Sequence, residues 1–242
     1  MTPVEQERKK IREKIWSFID ADRGDSVLDI GVGRQAHSLV KLRELGISAT
    51  SIDIDLDALR KHKTPGAHFV QCNAAHLPFR NSIFNLSIAN FTFHEIEPSL
   101  HQKVFSELCR VAQRVMVIEP AHGQDPVYRC FQRIWTDAMH SIGQFEDYAA
   151  IEHWTQLMRN CGAEILVSER FRSKERLIGQ EASEYMKAVL DDMHEDGVSP
   201  EHIEEIRKLR TEIETKGMVF SDMNVVVAKS KNTVHVQKMG RS

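Results

Sequence analysis

The chain has 242 residues, a formal net charge of −3 and 41% apolar residues, enough for one sizeable core and typical of a single open α/β domain. Its basic residues are dispersed rather than gathered into a patch, which argues against a nucleic-acid partner. No apolar run reaches the length of a membrane span.

The first predicted element is a helix over 4–20, with Ile11, Ile15, Phe18 and Ile19 on one face and Trp16 at its edge. That face fits packing on a sheet, with a lid over a ligand as the alternative. No hydrophobic region follows the N-terminal charges, so the segment does not read as a secretory signal and a cytoplasmic location is expected.

Next comes Val27-Leu28-Asp29-Ile30-Gly31-Val32-Gly33, a buried strand (26–30) breaking into a glycine turn, and then a helix over 36–45 that stops at Gly46. A tight turn here needs backbone angles that a β-carbon obstructs, and absent side chains let a ligand approach the backbone. A strand over 49–54 carries Asp53, about 20 residues beyond the turn, where a carboxylate can accept from both hydroxyls of a ribose. Asp29, on the strand itself, is suited to organising donors in the turn or meeting a positive amine. Gly31 to Ala36 also satisfies the G-x-G-x-x-A dinucleotide fingerprint, with a pyrophosphate on the helix N-terminus. A NAD-dependent oxidoreductase is therefore one alternative.

A helix over 56–63, strands over 68–71 and 86–90, a helix over 99–112 and a strand over 114–119 follow. Such alternation predicts a parallel sheet with helices on both faces. Asp29, Asp53, Asn73, Asn90 and Glu119 all fall at strand ends or just beyond, where ligands of such sheets bind. Helices are expected over 126–140 and 148–161, the second stopped by Gly162, then a strand over 164–171. Two charged helices follow over 182–194 and 200–216, the latter opened by Ser199-Pro200. They either cap a pocket or form a homodimer contact, their charge being a solvated face. A last strand covers 224–228. One domain is expected over 1–230, with a flexible tail over 231–242.

Cys72, Cys109, Cys130 and Cys161 are widely separated and read as free buried thiols. The 12 histidines form no H-x-x-x-H pair on a convincing helix, so no metal is expected.

Two further stretches carry a family likeness: Val70-Gln71-Cys72-Asn73-Ala74-Ala75-His76-Leu77-Pro78-Phe79, and Ser82-Ile83-Phe84-Asn85 opening a hydrophobic strand. With the glycine turn and Asp53 they resemble class I S-adenosylmethionine-dependent methyltransferases, particularly the small-molecule branch that includes the ubiquinone and menaquinone biosynthesis enzymes. The corresponding stretches there read G-D-A, L-P-F and F-D. The resemblance spans roughly residues 25 to 120, four ordered motifs that are more specific together than singly. It implies a doubly wound, mostly parallel seven-stranded sheet of order 3-2-1-4-5-7-6 with the last strand antiparallel, and helical insertions at about 122–160 and 180–216.

The resemblance implies S-adenosyl-L-methionine as cofactor and methyl transfer to an unidentified small molecule by in-line displacement. Carried over, Asp29, Gly31, Val32 and Gly33 surround the methionine part. Asp53 holds the ribose, Ile54 lies against the adenine, Asn73 with the Ala74 backbone meets its exocyclic amine, and the Asn90 backbone faces the methionine amine. Gln35, Asn73 and Asn85 depart from the usual glycine, aspartate and aspartate. A non-catalytic S-adenosylmethionine-binding protein is the second alternative.

Because the thioether leaves readily, the protein mainly aligns donor and acceptor, and a base is needed only for a protonated acceptor. His94 and Glu119 are the catalytic candidates, His94 for a pKa range suited to accepting a proton and Glu119 for orienting substrate. Their blander readings are a cleft-wall histidine and a strand-end carboxylate bonded to backbone. Phe91, Glu95 and His122 lie nearby. Tyr128, Trp135, Phe145 and Tyr148 are candidates for an apolar acceptor pocket, although Trp135 fits helical core spacing better. Asn90-Phe91-Thr92-Phe93 is unlike the Asn-Pro-Pro-Tyr run of enzymes that methylate base or glutamine amines.

Overall fold

A computed structural model describes residues 1–62 and 68–231; the end of the expected 56–63 helix and residues 232–242 of the expected tail lie outside these. Seven strands form one sheet: β1 (Val27–Ile30), β2 (Ala49–Asp53), β3 (His68–Gln71), β4 (Phe84–Asn90), β5 (Ala112–Pro120), β6 (Glu164–Phe171) and β7 (Met223–Lys229). Their order is β3-β2-β1-β4-β5-β7-β6, as expected. The first five run parallel, and β7 lies antiparallel between β5 and β6. Strand order reverses between β1 and β4, which opens a crevice at their carboxyl ends.

The central strands are apolar on both faces because both are covered. On one side α4 (His101–Val111) presses Val104, Phe105 and Leu108 onto the sheet beside Trp154 and Met158 of α6 (Ile151–Asn160). On the other, Ile15 of α1 (Pro3–Trp16) packs with Leu42 of α2 (His37–Glu44) against Val27, Ile88 and Met116. Helices α5 (Pro126–Ser141), α7 (Gly179–Glu195) and α8 (Pro200–Lys216) form a separate cluster around Met186, Met193 and Ile206, which also takes Val4 of α1. The first helix thus packs against both cores.

α1 and α6 are shorter than expected by several residues, for local reasons. α1 stops at Trp16 because the Ser17 hydroxyl donates to the Lys14 carbonyl, and Phe18 and Ile19 reach the sheet from the following turn. α6 begins at Ile151, so Tyr148 lies in a non-helical segment. Among the described residues no helix is long and apolar enough to cross a membrane. Of the four cysteines, Cys109 is buried and the other three are partly exposed.

Candidate active site

At the end of β1, Gly31 and Gly33 adopt φ of +74° and +60°, the left-handed region that disfavours side chains. Gly31 has a second constraint: a β-carbon there would lie 2.7 Å from Cγ2 and Oγ1 of Thr92. Thr92, beyond the end of β4, donates its hydroxyl to the Ile30 carbonyl at 2.9 Å. The Gly33 N–H donates to Asp53 Oδ2 at 3.0 Å, and the Asp55 N–H to Oδ1 at 2.9 Å. Asp53 therefore fastens the glycine turn to the end of β2 and still has lone pairs to offer. Val32 is buried with Leu39 and Leu59, which holds the turn from below. Gln35 is exposed, and Ala36 beside it is left-handed at φ +49°.

Beneath this turn Asp29 is fully buried. Ser51 donates to its Oδ2 at 3.0 Å, and Oδ1 has no hydrogen-bond partner. Burial raises its pKa to about 7, against the lowering effect of Ser51 and Ser38. Ile54 is 69% exposed beyond β2, an apolar side chain facing water at a strand end. Asn73 is exposed past β3, with Oδ1 accepting from the Ala75 N–H at 2.8 Å and Ala74 partly buried beside it. Asn90 ends β4, and its carbonyl accepts from Thr92 at 3.3 Å. Asn85 stands at the other end of that strand, holding Ser26 through its N–H and hydroxyl at 3.0 Å, a structural position.

The rim over β4 and β5 is organised by Glu119, which is fully buried. Its carboxylate accepts from the N–H groups of Thr92 (2.8 Å), Phe93 (2.7 Å) and His94 (3.4 Å), and from His94 Nδ1 at 2.6 Å. Glu119 thus shapes the 3₁₀ turn Phe93–Glu95, with both oxygens occupied. His94 is buried, its Nε2 lying 3.8 Å from Glu146 and 3.9 Å from Glu95. Burial alone would lower the His94 pKa, but Glu119, Glu146 and Glu95 together raise it to about 9. The acidic neighbours thus favour the protonated ring. The cause is the pair of acidic residues at 119 and 146, both distant in sequence.

Glu146 had no sequence signal; it lies between α5 and α6 where helical periodicity is missing. Thr136 donates to its carbonyl at 3.1 Å, and the Asp147 N–H donates to the His94 carbonyl at 2.8 Å, which ties this segment over the histidine. The Tyr148 hydroxyl donates to the Glu146 carboxylate, and its ring stacks on His94 at 5.6 Å. Phe91, left-handed at φ +55°, sets its ring edge-on to His94 at 5.9 Å. Glu95 has a pKa raised to about 7, chiefly by partial burial, against the lowering effect of His94 and with smaller raising effects from Glu146 and Glu119. Its side chain is still 64% exposed toward solvent.

Of the aromatic pocket candidates, Tyr148 joins this cluster. Trp135 stacks on Phe131 in the helical core, Tyr128 is buried with its hydroxyl on Ser221, and Phe145 meets His140. His122 is exposed, its carbonyl accepting from Gln124.

Comparison with known proteins matches residues 28–115 to the methyltransferase domain family. Residues 28–115 thus resemble a methyltransferase domain, and the chain has the fold of solved S-adenosylmethionine-dependent methyltransferases. It is 26% identical over 127 residues to a demethylmenaquinone methyltransferase of Paenarthrobacter aurescens, a match covering 50% of this chain and 49% of that protein. The chain thus spans about half the length of this curated relative. Among solved structures it is similar to the YcgJ protein of Bacillus subtilis (TM-score 0.63, 12% identity, covering 93% of this chain and 99% of that one). It is also similar to an S-adenosylmethionine-dependent methyltransferase of Archaeoglobus fulgidus (TM-score 0.59, 17% identity, covering 92% and 94%).

Proposed function

We propose that this protein transfers a methyl group from S-adenosylmethionine to a small-molecule acceptor in the crevice beyond β1 to β5. The observation carrying this reading is the rim of the glycine turn, Asp53, Ile54 and Asn73. It sets hydrogen-bonding groups and one exposed apolar side chain along consecutive strand ends. The fit to the cofactor is concrete. The unpartnered Asp29 Oδ1 lies under the turn, and the position of a Gly33 β-carbon meets no atom within 4 Å. Asp53 offers free lone pairs to a ribose, Ile54 an apolar face to an adenine, and Asn73–Ala74 an edge for its amine. The NAD-dependent alternative lacks this support, since the matched family is a methyltransferase domain.

When bound, S-adenosylmethionine supplies an electrophilic methyl group on a sulfonium. The protein's share is alignment and exclusion of water. Asp29, Gly31, Val32, Gly33 and the Asn90 backbone fix the methionine end, while Phe91 and Tyr148 wall the acceptor side. His94 and Glu119 act in this reading as a positioning pair rather than as base and substrate contact.

Calorimetry tests the reading: S-adenosylmethionine or S-adenosylhomocysteine should bind and NAD should not. Asp53→Ala should raise the dissociation constant roughly tenfold or more, for hydrogen bonds of about 1.5–3 kcal/mol to a charged group. Tight NAD binding with neither sulfur nucleoside bound would overturn the reading. A labelled-methyl screen over small-molecule acceptors separates an enzyme from a non-catalytic binder.

A further inference from the structure

We propose that His94 Nε2, Glu95 and Glu146 form a binding site for one divalent transition-metal cation on the acceptor side of the crevice. Their ligand atoms all lie within 4.8 Å of one another, Nε2 being 3.8 Å from Glu146 Oε1 and 3.9 Å from Glu95 Oε1. Bonds of about 2.0–2.2 Å would set the donors about 3–3.5 Å apart. The remaining closure falls to Glu95, whose side chain is 64% exposed and can swing.

Three observations point to a metal rather than a chance meeting of acids. The imidazole is 5% exposed, and its Nε2 faces Glu146 at 3.8 Å and Glu95 at 3.9 Å, both beyond hydrogen-bond distance. Its other nitrogen meets Glu119 at 2.6 Å, and Glu119 also accepts backbone N–H groups, so Nδ1 donates. Such a carboxylate–histidine pair is the outer arrangement that aims Nε2 at a metal, which on binding takes the Nε2 lone pair and releases the Nε2 proton to solvent. Tyr148 holds the Glu146 carboxylate by a second outer bond.

Charge supports the same conclusion. Among the described residues no lysine or arginine forms an ion pair with Glu95, Glu119 or Glu146. One imidazole with two carboxylates suits first-row cations from manganese to zinc better than calcium or magnesium. Binding itself is independent of the methyl-transfer reading. Its consequence, polarising an acceptor oxygen as a Lewis acid, rests on that reading.

The test uses the full chain stripped with chelator, titrated with Co2+ by visible absorption and with Zn2+ against a chromophoric chelator. One high-affinity site is expected. Glu95→Gln and Glu146→Gln should each weaken it by at least the roughly 10–100-fold typical of outer-shell loss, and Tyr148→Phe by about tenfold. Glu95→Gln alters an exposed side chain, and its affinity for S-adenosylhomocysteine by calorimetry reports separately on the fold and the cofactor site. Absence of stoichiometric Co2+ and Zn2+ binding by the wild type would overturn the proposal. So would equal affinity in wild type, Glu95→Gln and Glu146→Gln, which would place the metal on other histidines.

Discussion

The two halves of the crevice are built by different means. Over β1 to β3 the rim is backbone: glycines at positive φ, and side chains closing short turns, such as Asp53 on Asp55 and Asn73 on Ala75. Over β4 and β5 it is a cluster of buried charge whose members come from far apart, His94 and Glu119 being 25 positions apart in sequence. Local rims tolerate loss of one contact, because the chain itself holds the others in place. A charged cluster depends on every member, since each lost partner strands a charge in a poorly solvated place. Thr92 joins the two, with its N–H on Glu119 and its hydroxyl on Ile30.

The largest effect is expected from Glu119→Ala. It leaves His94 and three N–H groups without their acceptor, and breaking a buried pair from one side costs about 3–5 kcal/mol. Urea unfolding monitored by circular dichroism should show a midpoint far below wild type. Through Thr92 the loss should also loosen the glycine turn and weaken S-adenosylhomocysteine binding. An unchanged midpoint would mean that the two rims do not differ in this way.

Asp29→Asn sharpens the comparison from the other side, as the one buried charge under the local rim. With a folded pKa of about 7, Asp29 keeps its proton in the folded protein across a range where the unfolded chain has lost it. Its contribution is therefore fully present below about pH 4 and declines as pH rises toward 7, by at most about 4 kcal/mol. His94, raised to about 9, contributes in a higher window that fades between about pH 6.5 and 9. The wild-type minus Asp29→Asn difference in urea midpoint should change between pH 4 and 7 and stay flat above. A difference independent of pH would show that Asp29 is ionised throughout.

What could be read from the sequence divides along the same line. The strand–helix alternation and the glycine turn rest on local pattern, Asp53 on its spacing from that turn and the sheet order on the family resemblance, and the structure has these elements in that order. Strand limits moved by a residue or two, because β4 and β5 extend pairing into residues without a strong pattern of their own. The protonation of His94 was not legible, since it is set by Glu119 and Glu146, and no spacing rule links those positions. Glu146 was hidden, and Tyr148, a pocket candidate, was placed on a helix, for a related reason. The pattern of Ile151, Trp154, Leu157 and Met158 extrapolates a helix backward over residues that instead cross the histidine.

A third variant strains the point where the rims touch. In Gly31→Ala the new methyl group would meet Thr92 at 2.7 Å on a backbone at φ +74°. Overpacking of about 1–3 kcal/mol adds to a left-handed cost of about 1–2 kcal/mol. Stability should fall by roughly 2–5 kcal/mol, and cofactor affinity with it. Thr92→Ser on top should recover part of this, by removing the Cγ2 contact while keeping the hydroxyl. No recovery in the double variant would assign the whole cost to backbone angle.

The smallest effect concerns Ala36, which carries a side chain where the chain is left-handed, at φ +49°, ahead of α2. An L-residue there bears about 1–2 kcal/mol of strain that glycine escapes. Against that, Ala36→Gly adds about 0.5–1 kcal/mol of backbone entropy to the unfolded chain. It also removes a methyl group buried with Val32, Leu39 and Leu59, worth about 0.8 kcal/mol at most. These terms nearly cancel, so the urea midpoint should move little, with a net change below about 1 kcal/mol in either direction. That near-neutrality is what a rim held by local backbone requires, because no distant partner depends on the lost group. A loss above about 2 kcal/mol would exceed the entropy and methyl terms together, even with no strain relieved. It would show that the packing beneath the glycine turn, rather than the turn's own geometry, holds the cofactor rim, and would erase the contrast with the charged cluster across the crevice.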